Sequence, residues 1–137
     1  MALHNEIGKL GEEIAVKYLI SKGFNIIDRN FHVKGGEIDI IATKDLSNFH
    51  VKCKNIAFIE VKTKKVLNFE EIKDNIFSPE NNLTKSKRQR LLKAVKYYIY
   101  SKRLKEEDLN IQTIALIVFL ETNSHKAKIK MYEDFIL

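Results

Sequence analysis

The chain has 137 residues, which suits one domain spanning residues 1–137. Hydrophobic residues make up 45% and charged residues 31%, proportions typical of a soluble globular protein. The net charge of +6 favours a polyanionic partner, either nucleic acid or an anionic membrane, although many soluble proteins are mildly basic.

The cysteine and histidine content favours a reducing compartment and argues against a structural zinc site. Cys53 is the only cysteine, which excludes an intrachain disulfide and fits a reducing cytoplasm, where we expect the protein. The N-terminal stretch lacks the apolar core of a signal peptide, and no apolar run reaches the ~20 residues of a membrane-spanning helix. The histidines are scattered without cysteine partners, which argues against a structural zinc site.

The first half of the chain predicts one helix followed by three strands. Residues 4–24 favour a helix because apolar residues recur at helical spacing, at Ile7, Leu10, Ile14 and Tyr18. Strand-like segments follow at residues 24–31, 36–43 and 55–63. The connection over residues 44–55 is either a loop or a longer hairpin arm.

The second half predicts a helix between a loop and one or two strands. Residues 68–82 contain the only proline and favour a loop with one helical turn. A long basic helix is predicted over residues 84–105. The continuous apolar stretch at residues 110–121 indicates a strand buried on both faces, and residues 126–135 alternate like an edge strand. The order α-β-β-β-α-β, with a further edge strand, predicts an α/β fold with a mixed central sheet flanked by helices.

Carboxylates stand inside the most apolar of these strands. Strand side chains alternate between faces, so Glu37 and Asp39 are predicted on one face and Ile38 and Ile40 on the other. Burying an unpaired carboxylate costs several kcal/mol. Such acids are therefore expected to be paired, to face water or to bind a cation.

The next strand carries a third such acid. Glu60 shares a face with Lys62, which allows a salt bridge along the strand, and a water-facing sheet surface is a second structural explanation. The functional alternative is that Asp39 and Glu60, on neighbouring strands, share Mg²⁺, a cation that prefers oxygen ligands. Lys62 would then position water or stabilise charge on a phosphate, as metal-dependent phosphodiester hydrolysis requires.

Asp39, Glu60 and Lys62 in this order of elements resemble the restriction-endonuclease-like nucleases of the PD-(D/E)xK type. The chain is more closely similar to the YraN-like family of small bacterial proteins, in "GKLGEEIAVKYLISKGFNIIDRNF", "GGEIDIIA", "FIEVKTK" and "KRQRLLKAVKYYI". The resemblance implies a restriction-endonuclease-like core and a Mg²⁺- or Mn²⁺-dependent endonuclease. It also implies nucleic acid, expected to be DNA, as the partner. Similar archaeal Holliday-junction resolvases point to branched or junction DNA and to a homodimer.

The resemblance also implies roles for individual residues. Asp39, Glu60, Lys62 and Glu12 are the expected catalytic set, with Asp39, Glu60 and Glu12 as metal ligands. Helical geometry places Glu12 at the border of the apolar face and Glu13 among lysines toward solvent. The alternative for Glu12 is a flanking surface acid.

Basic residues around this set are candidates for phosphate contacts. The candidates are Arg29, Asn30, Lys34, Lys64, Lys87, Arg88 and Arg90. The alternative for the basic helix is a solvated face. Aromatic residues 97–100 offer a base-stacking platform, although Tyr98 and Ile99 favour the core.

Two departures from the relatives' pattern are visible. Ile38 precedes Asp39 where the nuclease motif often has proline, and residues 110–112 replace an Arg-Phe-Asp that relatives often carry. A non-catalytic nucleic-acid-binding module that keeps the nuclease fold is the main alternative function. A pure protein-interaction domain would leave both the acids and the basic helix unexplained.

Overall fold

A computed structural model describes residues 2–45, 55–72 and 84–134, with side chains from residue 5 onward. Most of the predicted loops at residues 44–55 and 68–82 lie outside these ranges; a short 3₁₀ turn, Phe69–Glu71, begins the second. The helices and strands, in chain order, are α1 (Ala2–Ser21), β1 (Asn25–Val33), β2 (Gly36–Thr43), β3 (Asn55–Val66), α2 (Lys85–Ser101), β4 (Asn110–Glu121) and β5 (Ala127–Glu133).

The strands form one mixed sheet in the order β1-β2-β3-β4-β5. β3 and β4 are parallel and the other neighbours are antiparallel. Parallel neighbours need a crossover, and α2 lies in the connection from β3 to β4. The predicted α/β class, the mixed sheet flanked by helices and the further edge strand β5 are therefore confirmed.

Each helix covers one face of the sheet. Ala15 and Leu19 of α1 pack against an apolar cluster that includes Ile40, Ile59 and Ile114. On the other face, α2 contributes Leu91, Ala94, Val95, Tyr98 and Ile99. The interior strand β4 is buried from Thr113 to Phe119, as its continuous apolar sequence predicts. Within the described helices, neither one is long and apolar enough to cross a membrane.

Close approaches at two glycines fix the helices on the sheet. A Cβ at Gly11 would overlap the Thr63 hydroxyl of β3, so the absence of a side chain lets α1 reach the sheet. A Cβ at Gly36 would lie 2.6 Å from the carbonyl oxygen of Arg90, so α2 packs directly on the start of β2. The apolar spacing predicts Leu10 on the buried face of α1, but Leu10 is 52% exposed and Gly11 is buried instead. The buried face of α1 is therefore centred on Gly11.

Candidate active site

The regular alternation of β2 is interrupted at Asp39. Ile38 packs on the α2 face of the sheet whereas Ile40 packs on the α1 face, so the prediction that both share one face is wrong. Their partners on β1 are Phe31 and Arg29. Between these partners stands Asn30, whose φ of 53° is left-handed. A left-handed residue inside a strand reorients the chain, and asparagine tolerates this conformation better than most residues.

The interruption directs the Asp39 side chain toward β3. The backbone pairing of β2 with β3 runs from Ala42–Ala57 to Ile40–Ile59. Beyond the Ile40–Ile59 pair, the Asp39 carboxylate accepts a hydrogen bond of 2.8 Å from the backbone N–H of Val61. A side-chain oxygen therefore satisfies a strand N–H at the point where the ladder ends.

Asp39 and Glu60 form a half-buried carboxyl pair within hydrogen-bonding reach of each other. Burial raises the pKa of Asp39 to about 6, against the lowering effect of the Val61 N–H. Burial, and then the charge of Asp39, raise the pKa of Glu60 to about 8. Two carboxyls this close cannot both ionise freely, so each disfavours the charge of the other.

Lysines face this pair. Burial lowers the pKa of Lys62, and the charges of Lys87 and Lys64 lower it further. Lys87 reaches this position from the first turn of α2, where Thr84 caps the helix by accepting the Lys87 backbone N–H at 3.2 Å. Its charge also favours ionisation of Glu60. The site therefore combines two oxygen donors with a cationic surface beside them.

The two structural explanations for Glu60 account poorly for this arrangement. Among the ion pairs formed by described residues, none joins Glu60 to Lys62. Burial is the largest cause of the raised Glu60 pKa, which does not fit a freely water-facing carboxylate. The acid is held beside Asp39 despite their mutual repulsion.

Glu12 approaches the pair from α1. Its charge contributes to the raised pKa of Asp39, and its side chain is only 16% exposed. Arg29 Nη2 lies 3.4 Å from Glu12 Oε1 and 2.7 Å from Glu13 Oε1. The structure thus brings Arg29, predicted as a phosphate contact, into ion pairs with both glutamates. Glu13 is 56% exposed, as its predicted solvent-facing position requires.

The donor set fits a hard divalent cation. The described residues contain no group of three or more His, Cys, Asp and Glu side chains placed to share a metal ion, so Glu12 does not join Asp39 and Glu60 in such a group. Mg²⁺ commonly uses one or two carboxylates and takes its other ligands from water and substrate phosphates. The chemistry of the Asp39–Glu60 pair meets that requirement.

The other candidate phosphate contacts form two groups, one on β3 and α2 and the other on β1 and the β1–β2 hairpin. Lys64 follows Lys62 on β3, and the two interact electrostatically. Arg88 is half-buried and Arg90 exposed on α2. Asn30 is exposed on β1, and Lys34 is exposed at the tip of the β1–β2 hairpin, beside α2.

Several residues in or near the site were not predicted from the sequence. The Val61 N–H carries no side-chain signal, and Thr63 matters only through its contact with Gly11. Lys93 and Lys96 also lie beside Lys34, and their spacing with Tyr97 and Tyr100 along one helix face could have identified them.

Comparison with known proteins gives the family. Residues 11–120 match the uncharacterised protein family UPF0102. The chain belongs to this family. It is 34% identical over 134 residues to a UPF0102 protein of Flavobacterium psychrophilum, covering 98% of this chain and 96% of the relative. A UPF0102 protein of Thermodesulfovibrio yellowstonii is 40% identical over 111 residues, covering 81% and 85%. One from Clostridium perfringens is 31% identical over 123 residues, covering 90% and 88%.

The UPF0102 region contains the whole candidate site. Glu12, Asp39, Glu60, Lys62 and the basic helix α2 all fall within residues 11–120. Membership of UPF0102 confirms the resemblance to YraN-like proteins.

Proposed function

We propose that this UPF0102 protein is a Mg²⁺- or Mn²⁺-dependent nuclease that hydrolyses phosphodiester bonds in nucleic acid, with DNA as the expected substrate. The observation that carries the proposal is the half-buried Asp39–Glu60 pair, held where the β2–β3 ladder ends and faced by Lys62 and Lys87. Burying two mutually repelling carboxyls is unfavourable, and binding a divalent cation offsets that cost.

Asp39 and Glu60 would hold the cation once both carboxyls are ionised. A bound divalent cation would supply charge neutralisation at the phosphate and would acidify a water molecule. The hydrogen bond from Val61 keeps one Asp39 oxygen engaged, which fixes the carboxylate and leaves its second oxygen to the site. This orientation is needed because displacement of a ligand by even an ångström weakens catalysis.

Lys62 and Lys87 would bind and polarise the scissile phosphate. Phosphodiester hydrolysis adds water across a P–O bond, and negative charge builds on the phosphoryl oxygens in the transition state. Ammonium groups fixed at that position stabilise the charge without having to reorganise. Lys62, beside the carboxyl pair, would also position the attacking water.

Glu12 of α1 and Arg29 of β1 would position the pair. Arg29 is held by both Glu12 and Glu13, and Glu12 acts on Asp39 through its charge. A carboxylate outside the ligand set can attract the cation and orient its bound waters. Glu12 is therefore assigned an outer role around Asp39 and Glu60.

The test is incubation of the purified protein with plasmid, single-stranded, flapped and four-way DNA, and with matching RNA, in Mg²⁺ or Mn²⁺. The proposal expects cleavage of at least one substrate that stops when EDTA is added. Saturable binding of these substrates without cleavage under every condition would support the non-catalytic binding module instead.

A further inference from the structure

A second basic surface lies between the β1–β2 hairpin and α2. It is a groove of about 640 Å³, and its basic and aromatic lining comprises His32, Lys34, Lys93, Lys96, Tyr97 and Tyr100. None of these residues belongs to the carboxyl pair or to the lysines that face it.

The aromatic rings of the groove are held open to solvent. Tyr97 is 53% exposed and Tyr100 is 81% exposed, which is unusual for side chains of this size. The ring of Phe31 lies 6.3 Å from that of Tyr97, at an interplanar angle of 36°. Tyr97 is therefore packed on one side and leaves ring surface available on the other.

The lysines follow the same helix face as the tyrosines. Lys93, Lys96, Tyr97 and Tyr100 recur at spacings of three and four residues, which places them along one side of α2. At the hairpin, Gly35 lies under Lys93, because a Cβ there would be 2.9 Å from its Nζ. This contact brings the Lys93 amine across the turn that also carries Lys34.

The charge of the groove is one-sided. Its lining, as formed by the described residues, contains three lysines and no carboxylate. The Glu37 carboxylate of β2 lies 3.5 Å from His32 at the edge of the groove, and its charge also acts on Asp39 and Glu60. Cations interleaved with exposed aromatic rings match an unpaired nucleic-acid strand, which offers phosphates to the lysines and base faces to the rings.

The groove lies further along α2 than the candidate active site, beside residues Lys93 to Tyr100. Lys87 faces Glu60 at the helix N-terminus, and Tyr100 lies thirteen residues further on. At 1.5 Å per residue, the groove extends to about 20 Å from Lys87. A polymer bound at the carboxyl pair could therefore reach the groove with an adjoining segment.

We propose that this groove binds an unpaired segment of nucleic acid, with bases stacked on Tyr97 and Tyr100 and phosphates against Lys34, Lys93 and Lys96. The inference rests on the proposed function for its ligand class, and it assigns to the same polymer a contact outside the cleavage site. Base stacking tolerates any sequence, so the groove would select unpaired structure and show little preference among bases.

The experiment measures fluorescence anisotropy of a labelled 20-nucleotide poly(dT) and of a 20-base-pair duplex, both in EDTA. Tyr97→Ala/Tyr100→Ala should weaken single-strand binding by about tenfold or more, since each stacked base contributes substantially to affinity. Duplex affinity should change less than about twofold. Tyr97→Phe/Tyr100→Phe is the matched control and should retain single-strand affinity, because phenylalanine keeps the stacking surface.

Three results would overturn the inference. They are unchanged single-strand affinity in the alanine double variant, an equal loss for strand and duplex, and binding by the wild type to phosphatidylserine vesicles but to no oligonucleotide. Cleavage is scored separately with Mn²⁺. A protein that cleaves DNA while the alanine variant binds normally contradicts the groove alone. One that binds through the tyrosines but never cleaves contradicts the proposed function alone.

Discussion

The Asp39 carboxylate accepts the backbone N–H of Val61 at 2.8 Å, so an acid of β2 completes the pairing of β3 with its side chain. This single contact gives Asp39 a structural role beside the chemical role that we propose for it. Asparagine presents a carbonyl oxygen of similar shape and can accept the same hydrogen bond. Asp39→Asn therefore separates the charge of Asp39 from its place in the fold.

Stability should depend on pH through Glu60, whose pKa is raised from 4.5 to about 8. The folded protein then binds more protons than the unfolded chain between these values, so this contribution to stability is present below about pH 4.5 and is lost as pH rises through 8. Glu60→Gln removes the titration. Its melting temperature should match the wild type near pH 5 and exceed it by about 3–5 °C near pH 8.5.

Thermal unfolding at the two pH values, with and without Mg²⁺, measures this effect. Added Mg²⁺ should narrow the difference at high pH, because it stabilises only the wild-type pair. An identical difference at both pH values would show that Glu60 is not held in a site that disfavours its charge.

The two adjacent glutamates of α1 should differ in their effect on cleavage. Glu12 is 16% exposed and acts on Asp39, whereas Glu13 is 56% exposed. Glu12→Gln should reduce cleavage by roughly 10- to 100-fold, the usual effect of losing a group that orients a metal site. Glu13→Gln is the matched control and should change stability by about half a kcal/mol or less.

Titration of cleavage against Mg²⁺ distinguishes the variants once circular dichroism has established that both are folded. Greater sensitivity at Glu13 would mean that its 2.7 Å bond to Arg29 is the one that matters for the site. If both glutamine variants cleave as fast as the wild type, α1 has only a structural role.

The helix–sheet contact at Gly11 should be sensitive to a single methyl group. Gly11→Ala places a Cβ against Thr63, whose Cβ and Cγ2 atoms would both lie 2.9 Å away. Overpacking of this kind costs about 1–3 kcal/mol. Gly8→Ala in the same helix meets nothing within 4 Å and should stabilise the protein by about 0.5–1 kcal/mol, because alanine favours helix.

Urea unfolding gives both free energies. Thr63→Ala added to Gly11→Ala should restore part of the loss, since it removes the hydroxyl and methyl that collide. Equal stability of the two glycine variants would contradict the packing described here.

The basic helix should contribute a salt-dependent term to DNA binding. Lys87 lies beside the carboxyl pair, and Arg88 and Arg90 follow it on α2. Each phosphate contact that is lost should reduce the log–log salt slope by about 0.7 to 0.9. The triple alanine variant is compared with wild type over a range of NaCl concentrations, and an unchanged slope would assign these residues to a solvated face.

Much of the fold could be predicted from the sequence because the decisive signals are local. The apolar run of β4 predicts a doubly buried strand, and the alternation in β5 predicts an edge strand; both are confirmed. The placement of Tyr98 and Ile99 in the core follows from helical spacing and is also confirmed.

The detail of the site could not be predicted in the same way. The face exchange between Ile38 and Ile40 depends on the left-handed Asn30 of another strand and on a hydrogen bond to Val61. Neither the left-handed residue nor the hydrogen bond produces a periodic pattern in the sequence of residues 35–41. Pattern reasoning therefore identified Asp39 as an unusual acid but gave β2 a regular geometry that it does not have.

The most direct test of the central claim is Mn²⁺-dependent cleavage by wild type, Asp39→Asn and Glu106→Gln on the same labelled substrate. Glu106 is exposed in the 3₁₀ turn Glu106–Asp108 and is the control carboxylate, because it is not among the main charges that shift the pKa of Asp39 or Glu60. We expect that Asp39→Asn binds DNA as tightly as wild type and does not cleave it, while Glu106→Gln retains cleavage. Full cleavage by a folded Asp39→Asn protein would contradict the assignment of Asp39 and Glu60 as the metal-dependent nuclease site.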